Sequence, residues 1–155
     1  NVNFVVSELV EFLTPQADDR GVALMTDLSD LPPIPADTAG LHQALLNLLS
    51  NALDAVADET GVVTIATDFD SMDQEVVVRV TDNGVGIEPE EIDHIFEIFH
   101  SNKGQKGTGL GLAVVRKVVR EHGGRVEVDS QVDQGTTCAG RLPARQRPSG
   151  ETIAP

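Results

Sequence analysis

Apolar positions along this chain follow two periods, one helical and one alternating. Phe4, Val5, Leu9, Phe12 and Leu13 fall at helical spacing, and Gly21 closes that run. Pro15, which has no N–H to donate, is placed to break or kink the last part of this helix. VALMTDLS then alternates as a strand does, and DLPPIP reads as an extended loop. Asp37 or Thr38 caps a long helix running through AGLHQALLNLLSNALDAVAD. GVVTIATDF and QEVVVRVTD are β-branched strands, the second ending at Asp82, joined by a hairpin around residues 71–73. EPEEIDHIFEIF predicts a short helix with acids in its first turn, where the helix dipole favours them. HSNKGQKGTG is a polar loop, and LGLAVVRKVVREHGG is an amphipathic helix stopped by two glycines. RVEVDS and TTCAGRLP close the pattern as a strand pair turning at QVDQG. The order α-β-α-ββ-α-α-ββ, with no internal repeat, suits one mixed sheet with helices packed on a single face.

Composition narrows the function. A chain of 155 residues is the usual size of one domain. Five Phe and no Trp or Tyr leave an aliphatic core and no stacking platform for single-stranded nucleic acid. The net charge of -14 repels phosphate backbones at long range, so no nucleic-acid partner is expected. A small phosphate ligand is compatible with that field, because backbone amides and metal ions act locally. The single cysteine, Cys138, forms no internal disulfide and reads as a small core residue in a reducing compartment. There is no signal peptide or membrane span, and the opening NVNFVV without methionine reads as a fragment of something longer. Residues 1–143 form the expected domain. Residues 144–155 lack an apolar period and read as a disordered tail or linker.

Three polar constellations carry chemistry. Asn47, Asn51 and Asp54 lie four and three residues apart, on one helical face. That face is either a solvated stripe or a set of oxygen donors for a hard cation such as Mg²⁺. DNGVGI, residues 82–87, places a lone carboxylate on a loop with two glycines, more than a surface turn needs. GTGLGL, residues 107–112, opens a helix after a lysine-bearing loop. Its glycines make either a flexible hinge or a cradle whose N–H groups meet phosphate oxygens.

In this order, an N-x-x-x-N helix, a D-x-G-x-G turn after a strand, Phe96 and Phe99, and a G-x-G-x-G helix start resemble four boxes of one family. They resemble the catalytic and ATP-binding domain of sensor histidine kinases, in the superfamily shared with gyrase, the large heat-shock chaperone and mismatch-repair ATPases. The resemblance covers residues 1–143. It implies the Bergerat ATP-binding fold, an α+β two-layer sandwich. Its sheet is mixed, mostly antiparallel and of about five strands, with three main helices on one face.

The resemblance also implies a function and a site. The expected activity is transfer of the γ-phosphate of Mg-ATP to a histidine on an upstream dimerisation domain, from which a response regulator receives it. The alternatives are a nucleotide-dependent docking module without catalysis and a hydrolytic ATPase. Asp82 is implied to accept a hydrogen bond from the adenine amino group, with Gly84, Gly86 and Ile87 close to the nucleotide. Asn51 matches the Mg²⁺ ligand. Asn47 stands where hydrolytic relatives carry a glutamate that activates water, and a neutral amide cannot act as that base. Phe99 belongs to the F box, in which Ile98 replaces the usual proline. Lys103 and Lys106 of the lid are implied to reach the phosphates. Gly107, Thr108, Gly109, Leu110, Gly111 and Leu112 are implied to cradle them. Catalytic roles fall to Asn47, Asn51 and Lys103. Asp54 joins the nucleotide set, although many relatives have a basic residue there. His42, His94, His100 and His122 lack the phosphoacceptor pattern and are read as structural or surface residues. The implied ligands are ATP or ADP with Mg²⁺, in a monomeric cytoplasmic fragment whose parent is membrane-anchored or soluble.

Overall fold

The computed structural model describes residues 1–95 and 111–144. The elements are α1 (Val2–Asp19), β1 (Ala23–Leu28), α2 (Thr38–Ala55), β2 (Val62–Asp70), β3 (Glu75–Asp82), α3 (Pro89–Ile92), α4 (Gly111–Glu121), β4 (Arg125–Gln131) and β5 (Gly135–Pro143). Their order is the one the two periods predict. The five strands form one sheet in the order β1-β2-β3-β5-β4. β1 runs parallel to β2, and the other three pairings are antiparallel.

The core lies between one face of this sheet and α1, α2 and α4. Val76, Val78 and Val80 of β3 point into it, as strand alternation requires, with Val63 and Ile65 of β2 and Cys138 and Leu142 of β5. Leu45, Leu48, Leu49, Ala52 and Leu53 of α2 pack over them. α2 and α4 run antiparallel, and His122 ties their ends together. Its Nδ1 bonds the Val118 carbonyl at 2.8 Å, and its Nε2 accepts the Asp37 N–H at 2.9 Å. His122 is thus structural, as expected. The opposite sheet face carries an ion cluster over Val77 and Ala139, with Arg141 joining Glu127, Glu75 and Asp70. Arg141 holds the Glu127 carboxyl below the usual range, while Asp70 is lowered first by N–H groups of its own turn. No helix among the described residues is long and apolar enough to cross a membrane.

α1 departs from the sequence reading in two ways. Pro15 does not end it, and the helix continues to Asp19. Its buried face is Val2, Val5, Val6, Leu9, Leu13 and Ala17, while Phe4 and Phe12 point outward at 64% and 71% exposure. The valine–leucine stripe has the tighter period, and it wins the sheet. Truncating Leu49 to Ala, at a fully buried position, should therefore cost about 2–5 kcal/mol in denaturant unfolding. Phe12→Ala should stay within about 0.5 kcal/mol of wild type. A large loss from Phe12→Ala would put that ring back in the core.

Candidate nucleotide site

The loop after β3 is seated on backbone. Asp82 is the next inward position after Val76, Val78 and Val80, so its carboxylate enters the end of the core and is 8% exposed. Its Oδ1 accepts the Gly84 N–H at 2.9 Å. Asn83 ties the loop to the start of β2, accepting from Val62 N–H and donating to the Thr60 carbonyl. Val85 N–H bonds the Ala55 carbonyl at the end of α2 at 3.1 Å.

The two glycines have a structural cause that differs from the sequence expectation. A Cβ at Gly84 would collide with the Ala55 carbonyl, and one at Gly86 with the Gln131 carbonyl. Gly86 also has φ +75°, a conformation that disfavours side chains. Both positions are small because protein backbone occupies the space. Closeness to a nucleotide is not needed to explain them.

Two residues that the sequence reading missed complete this corner. Val63, Asp82, Thr136 and Ser130 form one cross-strand row on the inner face of the sheet. The next row is apolar, with Ile65, Val80, Cys138 and Val128. Ser130 Oγ accepts the Ile87 N–H at 2.8 Å and donates to the Gly135 carbonyl at 3.0 Å, and Thr136 Oγ1 lies 2.8 Å away. Asp133 N–H bonds the Val85 carbonyl. The β4–β5 turn thus clamps the loop from the side opposite α2. The signal was the inward series Val126, Val128, Ser130, whose last member turns polar beside Asp82. Burial and the Asp82 charge push the Cys138 thiol up to about 12, so it stays protonated as a core residue.

The second half of the site is the seam between α2 and α4. Asn47 Nδ2 donates to the Gly111 carbonyl at 3.1 Å, and its Oδ1 accepts from Gln43 at 2.9 Å. A Cβ at Gly111 would lie 3.3 Å from Asn51 Nδ2. The structure therefore brings Asn47 and Asn51 against the first residue of α4, with Leu112 partly buried behind it. Asp54 is partly buried one turn further along α2. Phe96, Phe99, Lys103, Lys106, Gly107, Thr108, Gly109 and Leu110, with His100, lie outside the described residues.

The site thus has a buried carboxylate at the end of the sheet and carboxamides at a helix start, all anchored to α2. That is a layout for a ligand with one polar apolar-flanked end and one anionic end. Comparison with known proteins agrees with it. A family model for histidine kinase-, DNA gyrase B- and HSP90-like ATPases matches residues 36–146. Sensor histidine kinase ZraS of Escherichia coli K12 is 36% identical over 97% of this chain, which spans 32% of ZraS. Sporulation kinase E of Bacillus subtilis is 33% identical over 94% of the chain and 20% of its own length. The catalytic domain of histidine kinase ThkA superposes with a TM-score of 0.83 at 26% identity, covering 94% of each chain. Full-length ShkA, solved with AMPPNP, gives 0.82 at 30% identity over 92% of this chain and 30% of its own. The chain belongs to the histidine kinase-, DNA gyrase B- and HSP90-like ATPase family, and its relatives are sensor histidine kinases.

Proposed function

We propose that this chain is the ATP-binding catalytic half of a sensor histidine kinase. It transfers the γ-phosphate of ATP to a histidine on a dimerisation domain of its parent protein. A new N–P bond forms on the imidazole as the bond from Pγ to the bridging oxygen of ADP breaks. From the phosphohistidine the group passes to a response regulator, the kind of partner with which ThkA has been solved.

The observation that carries this reading is Asn47. Its position is the one where hydrolytic relatives hold a general base, and its carboxamide is committed to Gly111 and Gln43. The chain is suited to holding ATP for an outside nucleophile, since phosphoryl transfer depends mainly on positioning and charge neutralisation. In this reading Asp82 accepts from the adenine amino group and rejects a 6-oxo purine, which offers no donor there. The N–H groups of residues 107–111 and Lys103 and Lys106 hold the phosphates.

Asn51 would supply one oxygen to Mg²⁺. The donor set fits an ion that keeps most of its water and takes few protein ligands. Among the described residues, the group of three acids able to hold a metal, Asp70, Asp73 and Glu75, sits at the far end of β3. When bound, the ion offsets negative charge on the phosphates.

Three outcomes test the proposal. Asp82→Asn should weaken ATP about 10- to 100-fold by calorimetry, the size of one charge-assisted bond, while the melting temperature holds. Unchanged ATP affinity in a folded variant would remove Asp82 from the adenine. Asn51→Ala should abolish Mg²⁺-dependent phosphorylation with the fold intact, and undiminished turnover would take Asn51 off the metal. With γ-labelled ATP and the parent's two-helix dimerisation domain, acid-labile, base-stable label should appear on that domain. Steady phosphate release without label would favour a hydrolase, and tight binding without either would favour a docking module.

A further inference from the structure

α2 ends without a cap of its own. Val56, which follows it, is extended (φ -99°, ψ 154°), and the last turn carries no basic residue. The orphan carbonyls of a helix end need donors from elsewhere. Here they come from two distant segments. Val85 N–H, from the loop after β3, takes the Ala55 carbonyl. Arg20, at the end of α1, takes the carbonyls on either side of it. Its Nη1 donates to Leu53 O and its Nη2 to Val56 O, both at 2.7 Å, and its Nε donates to Asp58 Oδ1 at 2.7 Å. The Arg20 carbonyl also accepts the Glu59 N–H at 2.9 Å.

A guanidinium suits this task in a way an ammonium does not. Its planar fork presents donors in fixed directions, so one side chain spans two carbonyls and a carboxylate. Its charge sits at the negative end of the α2 dipole. The turn it grips is the one on which Gly84 is seated, with no room even for a Cβ between Gly84 and Ala55. A shift of that turn therefore moves the loop, and Asp82 is tied to the same loop through Gly84 N–H.

We infer that Arg20 is a positioning residue for base recognition: by gripping the last turn of α2 it sets where the Asp82 carboxylate stands. Arg20 touches no nucleotide in this arrangement. The inference rests on the proposed reading that Asp82 meets the adenine amino group.

The test compares ATP with ITP, which differ in the 6-amino against 6-oxo group, by calorimetry on Arg20→Lys, Asp58→Ala and Asp82→Asn. Arg20→Lys keeps the charge and loses the fork. It should weaken ATP about tenfold and leave ITP within about twofold, so that discrimination falls as it does when a charge-assisted bond is misaligned. A lowered melting temperature with the ATP-to-ITP ratio unchanged would make Arg20 merely structural and overturn the inference. Should Arg20→Lys not fold, Asp58→Ala decides. It releases the Nε anchor that orients the fork on both carbonyls, at a side chain 67% exposed. The ratio should fall in the same direction as in Arg20→Lys, and an unchanged ratio there overturns the inference equally. Asp82→Asn separates the two ideas. A ratio lost in Asp82→Asn but kept in both other variants defeats the Arg20 role alone, whereas a ratio kept in Asp82→Asn defeats the adenine reading and the inference with it.

Discussion

The seat of Gly84 on Ala55 is the contact on which the rest of the site depends. At that point two backbones meet with no side chain between them, and the Val85 N–H closes the contact with a hydrogen bond. Because α2 is rigid, fixing the loop there fixes it relative to everything else on α2. Asn51 stands one turn before Ala55, about 6 Å along the axis, and Asn47 one turn earlier again. At the start of the helix Asp37 receives His122 from the end of α4. One helix thus sets the spacing between the Asp82 loop and the start of α4, the two ends of the proposed nucleotide site. Neither end can drift without breaking a contact to α2.

The sheet contributes the second constraint. Its inner face is apolar apart from the buried Thr67 until the last row, where Asp82, Thr136 and Ser130 stand side by side. A buried carboxylate is costly unless it is hydrogen-bonded. Asp82 receives an N–H from its own loop, and the Ser130 hydroxyl holds that loop from the other side through Ile87. Its charge is felt one row away, where it adds to burial in keeping the Cys138 thiol protonated. In so acidic a chain an anionic ligand is held by local donors against the overall field, which favours fixed N–H groups and short reach over general attraction.

Element order was legible in the sequence because each element has its own period and its own stop signal. The partner face of α1 was not. Two Phe at helical spacing look like core, yet the Val2–Val6–Leu9–Leu13–Ala17 stripe has the geometry to lie flat on the sheet, and the rings were left outside. The D-x-G-x-G glycines were found from their pattern, but the backbone contacts with Ala55 and Gln131 that also require their small size were not legible. Thr136 and Ser130 were missed because cross-strand register brings them to Asp82 from some fifty residues away, and a linear reading carries no register. Arg20 was missed for a related cause. Two of its three partners are backbone carbonyls, which leave no trace in residue types, and the third, Asp58, lies 38 residues away.

Asn47 is where the proposed kinase chemistry and the packing of the fold meet. A glutamate at this point would supply a base, but it would also remove a donor. Asn47 Nδ2 gives its proton to the Gly111 carbonyl while its oxygen receives Gln43. A carboxylate has no proton to give, so Gly111 would face an acceptor across the seam between α2 and α4. The amide fastens the first turn of α4, and under the proposed function it would also withhold activation from water. A base at this position would therefore loosen the start of α4. On the proposed function, the choice of acceptor over water is tied at residue 47 to the packing of two helices.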